Sequence, residues 1–421
     1  MDEVRQTLFG LEGFNVVGAE VDGLDGELVV RVATFASSRG CPDCGVVGRV
    51  KDRPVVRLRD ATSAGRRVLV LWHKHRWACV EPSCPRGSWT EQHPAIGLRR
   101  RSTRRCRAQV ARAVTRGRSV AEAADEVGLG WRAAMRAVVE EALVPDRWRP
   151  VRRLGVDETV SRRKRRFVTH LVDLDDGTVL VTVEGRSARV LLDALAAQGA
   201  AWLAGVEEVA IDPFTPYAKA IRQLVPHARL VVDKFHIIRL FARAVDQVRR
   251  RTIRQAEGRR GRKVDLMWRT RMLLLKRYSR LTVEQEERVL ATLGAEDFWG
   301  EVTGAYLAYQ EALIVFDRSG TAGLRTAING LLERLAYLDI PELATLAGTL
   351  DRWMPEIWAY FETGTTNAAT EGCNRKVKQV KRAACGFRNH ENYVLRIAIH
   401  AGQKHYPPRR RLIRPTPRST R

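Results

Sequence analysis

Three carboxylates in this chain stand where they can do chemistry together. Asp157 closes the apolar run Leu154-Gly155-Val156, Asp212 closes Val209-Ala210-Ile211, and Glu371 leads a basic stretch that continues through Asn374, Arg375, Lys376 and Lys378. Three acids that converge in one pocket repel one another unless divalent cations neutralise them, and hard oxygen donors with room for water suit Mg2+ or Mn2+. Two such ions about 3.5 to 4 Å apart activate an attacking oxygen and stabilise a leaving one during in-line phosphoryl transfer. Taken singly, each of these acids reads as a turn or capping residue, so the inference rests on the set.

A second constellation is built from thiols. Cys41-Pro42-Asp43-Cys44-Gly45 is a C-x2-C turn, and Cys79 and Cys84 form a C-x4-C pair after 34 intervening residues of β-like sequence. Four thiolates at about 2.3 Å around one Zn2+ need two tight turns held face to face by short strands, which is the layout of a zinc ribbon. His73, His75 and His93 are spare ligands, and four free buried thiols are the alternative. A site closed by four thiolates has no open position, so the Zn2+ expected here is structural. The other three cysteines are scattered, and in a reducing compartment this clustering suggests metal binding rather than a disulfide framework.

The carboxylates depend on the elements that carry them. Leu154–Asp157, Phe167–Val172 and Val179–Val183 read as strands, with Asp176-Gly177 turning the chain between the second and third. A helix with Leu191, Leu195 and Trp202 on one face follows, then a strand Val206–Asp212, a short helix from about Pro216 and a strand Leu230–Asp233. The order β-β-β-α-β-α-β predicts a mixed sheet flanked by helices. In a ribonuclease H-like sheet the strands ending in Asp157 and Asp212 are neighbours, and a late helix supplies the third acid. Residues 236 to 362 read as helical, with basic faces such as Arg249, Arg250, Arg251 and Arg254. A helix over 366–382 then aligns Glu371, Arg375, Lys378 and Arg382 on one stripe, joining a metal ligand to a phosphate-binding track; a solvated basic helix is the alternative. Asp233 and His236 offer a polar contact beside the pocket or a structural pair. Glu158 alternates to the opposite face of its strand and receives no catalytic role.

Upstream, residues 1 to 95 alternate β-like runs, such as Glu27–Val32 and Arg67–Trp72, with turns, and residues 99 to 118 carry nine Arg and no acid. Ser119-Val120-Ala121-Glu122 is a capping-box pattern, with Val120, Ala123, Ala124 and Val127 on one helical face. Gly128-Leu129-Gly130 turns the chain into a second helix from about Trp131 that buries Met135, Val138, Val139 and Ala142 and exposes Arg132 and Arg136. This is the pattern of a DNA-reading helix-turn-helix, and a plain helical hairpin is its alternative. Pro145 and Pro150 mark a boundary, and residues 409 to 421 form a tail with six Arg and no acid.

Composition agrees with this layout. With 421 residues, 45% of them hydrophobic, the chain can bury a large core, which excludes a disordered or fibrous class. Lys and Arg number 73 against 48 acids, a net charge of +25, which points to a polyanionic partner. Arg outnumbers Lys by 62 to 11; Arg suits bidentate phosphate contact, although a GC-rich genome produces the same bias. No apolar run is long enough to span a bilayer, and Asp2, Glu3 and Glu12 replace a basic leader, so a soluble intracellular protein with no membrane partner is expected.

Several motifs together resemble one family. Leu154-Gly155-Val156-Asp157-Glu158, Ala210-Ile211-Asp212-Pro213 with Tyr217, Val231-Val232-Asp233-Lys234-Phe235-His236, Thr366-Asn367 with Glu371-Gly372 and Asn374, and Lys381-Arg382 with Gly386-Phe387-Arg388-Asn389 are similar to the motif series of the ISL3 family of bacterial insertion-sequence transposases. The resemblance runs from the zinc-ribbon cysteines to about residue 402. It implies a DDE transposase whose ribonuclease H-like core is interrupted by a helical insertion before the glutamate. Asp157, Asp212 and Glu371 would be its triad, binding two Mg2+ or Mn2+, with Asp233 and His236 as an accessory motif. Pro213 and the lead-in Ala368-Ala369-Thr370 depart from the usual family pattern without removing a triad member.

The expected protein is therefore multidomain α/β. A β-rich region with the zinc ribbon spans 1–95 and a helix-turn-helix domain 96–148. The ribonuclease H-like mixed-sheet core spans 149–240 and resumes at 365–405 after an all-helical insertion at 241–364, and 406–421 is a basic tail. Arg132, Arg136, Asn374, Arg375, Lys378, Lys381 and Arg382 are the candidate contacts to double-stranded DNA. The expected activity is binding of terminal inverted repeats, metal-dependent cleavage and strand transfer, by a homodimer or higher oligomer on DNA. A structure-selective nuclease or resolvase and a non-catalytic DNA-binding regulator are the alternatives.

Overall fold

Period-two alternation of apolar and polar residues builds the first sheet. Its strands are β1 (Phe14–Val21), β2 (Leu28–Thr34), β4 (Val55–Ser63) and β5 (Arg66–His73), in the order β1-β2-β5-β4. β2 and β5 run parallel and the outer pairs antiparallel, and Phe14, Val30, Val32, Leu58, Val70 and Trp72 fill the buried face. β4 returns into β5 through Ala64 and Gly65, both at positive φ (48° and 74°), as a two-residue hairpin turn with right-handed strand twist requires. Three short strands, β3 (Arg49–Asp52), β6 (Arg76–Ala78) and β7 (Ser88–Thr90), pair as a separate antiparallel ribbon.

Helices α1 (Arg104–Thr115), α2 (Val120–Val127) and α3 (Trp131–Glu141) follow. The capping box forms as expected: the Ser119 hydroxyl accepts from the Glu122 N–H at 3.1 Å, and the Glu122 carboxylate accepts from the Ser119 N–H at 2.9 Å. Gly128, at φ +70°, ends α2. Met135 and Val138 are buried and Arg132 and Arg136 exposed, but Val139 is exposed too, because the core stripe of α3 runs through Ala134, Met135, Ala137 and Val138.

The structure is a computed structural model that describes residues 10–22, 24, 26–35, 39–141, 149–162, 166–317 and 323–402; Ala142, Pro145 and the basic tail lie outside the described residues. The chain divides into two units, Met1–Pro145 with Val377–Arg421, and Asp146–Lys376.

The second unit is organised by a five-stranded sheet of β8 (Arg153–Arg162), β9 (Arg166–Asp173), β10 (Thr178–Glu184), β11 (Glu208–Ile211) and β12 (Arg229–Val232), ordered β10-β9-β8-β11-β12. The first three strands are antiparallel, while β8, β11 and β12 run parallel. Helices α4 (Ala188–Ala196) and α5 (Ala200–Ala204) replace the single helix expected there, because Gly199 at φ +86° breaks it before Trp202. α6 (Thr215–Leu224) joins β11 to β12.

A helical stretch follows: α7 (Lys234–Glu257), α8 (Leu266–Thr270), α9 (Val283–Glu296), α10 (Glu301–Val315), α11 (Leu324–Tyr337), α12 (Pro341–Arg352) and α13 (Met354–Thr363). The basic face expected on α7 is partly consumed inside the protein. Arg249 is buried against Asp246, and Arg251 is clamped by Glu301 and Glu342. Helix α14 (Ala368–Ala383) crosses from one unit to the other in sequence, and α15 (His390–Ala401) ends the described chain.

Residues 365 to 405 therefore do not stay together. Ile399 of α15 packs into the core of α1, α2 and α3, and the buried Arg396 guanidinium donates to the Val114 and Arg118 carbonyl oxygens at 3.2 and 2.8 Å. Among the described residues, no helix is long and apolar enough to cross a membrane.

Candidate active site and metal centre

The sheet register brings the two aspartates together. Val156 pairs with Ile211, and Ile211 with Val232, so Asp157, Asp212 and Asp233 follow in one row where the parallel strands end. Asp157 is not at the end of its strand, as its sequence suggested. β8 outruns β11 and continues to Arg162 paired with β9 alone, which leaves Asp157 at the point where the parallel ladder stops.

Burial first, and the charge of Asp212 next, push the Asp157 carboxyl up to about 7, against the lowering effect of the Glu158 N–H that donates to it at 2.7 Å. Asn374, on α14, donates its side-chain amide to the other Asp157 oxygen, while its own carbonyl oxygen accepts from the Thr159 hydroxyl at 2.9 Å. Asn374 is thus buried at the site rather than free for DNA. His236 Nε2 lies 2.8 Å from Asp212 Oδ1. Burial opposes the charge on His236, but the Asp212 hydrogen bond and the charges of Asp212, Asp233 and Asp157 outweigh it and raise its pKa.

Asp233 has a positional task. One oxygen caps α7 through the Phe235 N–H and the other accepts from the Asn367 N–H, both at 2.9 Å, so Asp233 ties the start of α7 to the lead-in of α14. Gly155 lets α14 approach the sheet: a Cβ there would collide with the Thr370 hydroxyl and Leu174. His170, the cross-strand partner of Asp157, is fully buried, bonded to Thr182 at 2.9 Å and lowered by burial to about 4, so it stays neutral beside the acids. Glu158 pairs with Arg186 at 3.0 Å and stays within electrostatic reach of the two aspartates; burial first, and the charge of Asp212, raise its pKa against the lowering effect of Arg186.

Glu371 is not gathered in. It sits one turn before Asn374 on α14, exposed, with the Arg375 guanidinium 3.5 Å away. Arg375, Lys378 and Arg382 are exposed and Lys381 is half-buried. Among the described residues, the one set of three or more His, Cys, Asp or Glu donor atoms within 4.8 Å of one another is Cys41, Cys44, Cys79 and Cys84.

Those sulfurs have the spacing of a tetrahedral ion's ligands. Cys41 and Cys84 Sγ are 3.8 Å apart, and Cys44 and Cys79 Sγ 3.6 Å. Four sulfurs about 2.3 Å from one tetrahedral ion lie about 3.8 Å from each other. Gly45, at φ +77°, closes the first turn with its N–H on the Cys41 carbonyl oxygen at 2.9 Å. Burial disfavours the Cys41 thiolate, but the backbone N–H groups of Cys44 and Asp43 prevail and lower it to about 7. His75 is engaged elsewhere with Glu91, and His93 lies tilted against the Phe14 ring, so neither serves as a spare ligand.

Comparison with known proteins identifies the family. A family model described as transposase, of the ISL3 type, matches residues 154–397, and one for the helix-turn-helix domain of transposase family ISL3 matches residues 91–141. The chain is similar to the transposase for insertion sequence element IS1001 of Bordetella parapertussis, 29% identical over 409 residues that cover 94% of this chain and 97% of that one. It is also 27% identical over 267 residues, 58% of this chain and 59% of the other, to the transposase for insertion sequence element IS1557 of Mycobacterium tuberculosis. With the transposase model matching more than half of its length, the chain belongs to the ISL3 family of transposases.

Proposed function

We propose that this protein is a DNA transposase that binds the terminal inverted repeats of an insertion sequence, cleaves a phosphodiester to free a 3′-OH and joins that end to target DNA. The observation that carries the reading is the adjacency of Asp157 and Asp212 at the end of the parallel ladder, with Asn374 on one and His236 on the other. The antiparallel triplet followed by two parallel strands supports a ribonuclease H-like core at 149–240 that resumes with the first half of α14, up to Lys376, after the helices of 241–364.

Asp157 and Asp212 are the oxygen donors for divalent cations, and Glu371 joins them when α14 and bound DNA bring it inward. Mg2+ or Mn2+ held there would activate the attacking oxygen and stabilise the leaving one. The Glu158 N–H and the Asn374 amide each hold one oxygen of Asp157, and His236 holds one of Asp212, so the two carboxylates are fixed in orientation and each oxygen would still have a lone pair to offer an ion. Burial and, next, the charge of Asp212 disfavour the Asp157 carboxylate, and a divalent cation held between the two aspartates would offset both.

The cysteine cluster holds one structural Zn2+, which organises the β3-β6-β7 ribbon. Arg132 and Arg136, exposed on α3, read base edges or phosphates, while Arg375, Lys378, Lys381 and Arg382 supply phosphate contacts. Two transposon ends must be paired, which calls for at least a dimer.

The test incubates purified protein with a labelled transposon end and Mg2+, maps the cut on each strand and assays joining to a target plasmid. A transposase cuts at the element boundary and yields joined product. Cutting without joining would instead identify a nuclease or resolvase, and end binding without either would identify a regulator.

A further inference from the structure

The helical stretch of the second unit contains a cavity of about 340 Å3 lined by Arg249, Arg250, Arg254, Arg260, Arg271 and the indole of Trp268. No acid lines it. Asp246 is committed to Arg249 and Arg250 at 2.6 and 2.7 Å, and Arg254 and Arg260 are exposed with no acidic partner among the described residues.

The wall is built rather than slack. Gly258, at φ +61°, ends α7, and the returning loop is pinned where Arg259 grips Asp265 at 2.9 Å and the Arg262 N–H donates to the same carboxylate at 2.5 Å. Gly261 presses so close that a Cβ would lie 3.2 Å from Ile253 Cδ1. The Arg271 guanidinium lies over the Trp268 ring, 3.6 Å from its centroid, and donates to the Trp268 carbonyl oxygen at 2.8 Å.

We propose that this cavity binds an unpaired nucleotide of a DNA strand, with its phosphate at Arg254 and Arg260 and its base against the stacked pair of Arg271 and Trp268. The exposed guanidinium groups of Arg254 and Arg260 suit a phosphodiester, and a positive recess with an aromatic wall suits a base that has left its stack. A duplex keeps its bases stacked and offers none to a recess of this size. The inference rests on the transposase reading for why an unpaired strand is present, but it does not depend on the carboxylates.

Photocross-linking tests it in EDTA, where cleavage is silent. A single-stranded oligonucleotide bearing one 5-iodouracil is irradiated with the full-length protein, and cross-linked peptides are mapped by mass spectrometry. The expected site is the segment 249–271, at Trp268, with yield lowered about tenfold in Arg254→Ala/Arg260→Ala. The control Arg280→Ala/Arg288→Ala removes equal charge from exposed positions of the same unit and should cross-link like the parent protein. Asp157→Asn should also cross-link like the parent, which separates this test from the catalytic reading. Cross-links mapping outside 249–271, equal yield from a duplex of the same sequence, or equal loss in the charge control would overturn the proposal. Equally strong labelling of this segment by the free-nucleotide probe 8-azido-ATP would overturn the assignment to a DNA strand.

Discussion

The side-chain amide of Asn374, on α14, donates to the carboxylate of Asp157, on β8, across 217 residues of sequence. This bond fixes one carboxylate oxygen and positions the helix that carries Glu371. Asn374→Ala should lower the end-cleavage rate about 10- to 100-fold, the usual cost of losing a partner that orients a metal ligand. Asn374→Asp should lower it at least as far, because it places another negative charge against Asp157. Single-turnover cleavage at saturating DNA and Mg2+ checks both, with circular dichroism confirming that the fold persists.

The metal-free protein should lose stability as pH rises. Asp157 is raised from 3.8 to about 7 in the folded state, so its contribution is full below 3.8 and is lost as pH climbs through about 7. His236 is also raised, so its contribution is present below 6.5 and is lost above the folded value, in the same direction. In EDTA, the second unit should be about 1 to 3 kcal/mol less stable at pH 8 than at pH 5 after allowance for residual exposure. Asp157→Asn should remove much of that slope, and Mg2+ should restore stability at pH 8 to the parent protein but not to this variant. Urea unfolding at the two pH values makes the comparison.

Much of this was legible in the sequence because it is local. Asp157 and Asp212 follow short apolar runs, the cysteines sit in tight turns, and the Ser119–Glu122 capping box is a four-residue pattern. What depends on distant packing was not legible. Asn374 looked like one more DNA contact in a basic helix, and nothing near it in sequence announces Asp157 or Thr159 as its partners. Arg249 and Arg251 read as a solvated face because Glu301 and Glu342, which clamp Arg251, come from later helices. The packing of α15 with α1 rests on Ile399, Arg396 and His400, whose partners lie more than 270 residues upstream.

Removing metal from the cysteine cluster should unfold the ribbon selectively. A strong chelator should release one Zn2+ per chain, and Cys44→Ser should bind it at least tenfold more weakly, since apo sites of this kind lose their folding energy with the ion. Metal analysis and protease mapping of residues 39 to 90 read the result. Loss of Zn2+ should weaken end binding.

Helix α3 should carry sequence discrimination. Arg132→Ala and Arg136→Ala should each cost about 1 to 3 kcal/mol for the transposon end if they read base edges, and little for unrelated DNA. Arg375→Ala and Lys378→Ala should weaken both DNAs alike and flatten the salt dependence by about one unit each. Anisotropy titrations at several salt concentrations separate the two behaviours.

The most direct test of shared metal binding by the aspartates is end cleavage by Asp157→Cys in Mg2+ and in Mn2+. A thiolate is a poor ligand for Mg2+ and a better one for softer ions. No detectable cleavage is expected in Mg2+ and clear recovery in Mn2+, at the same phosphodiester that the parent protein cuts. Cleavage in Mg2+ at the parent rate would overturn shared metal binding, since the Asp157 carboxylate would then hold no metal on the reaction path.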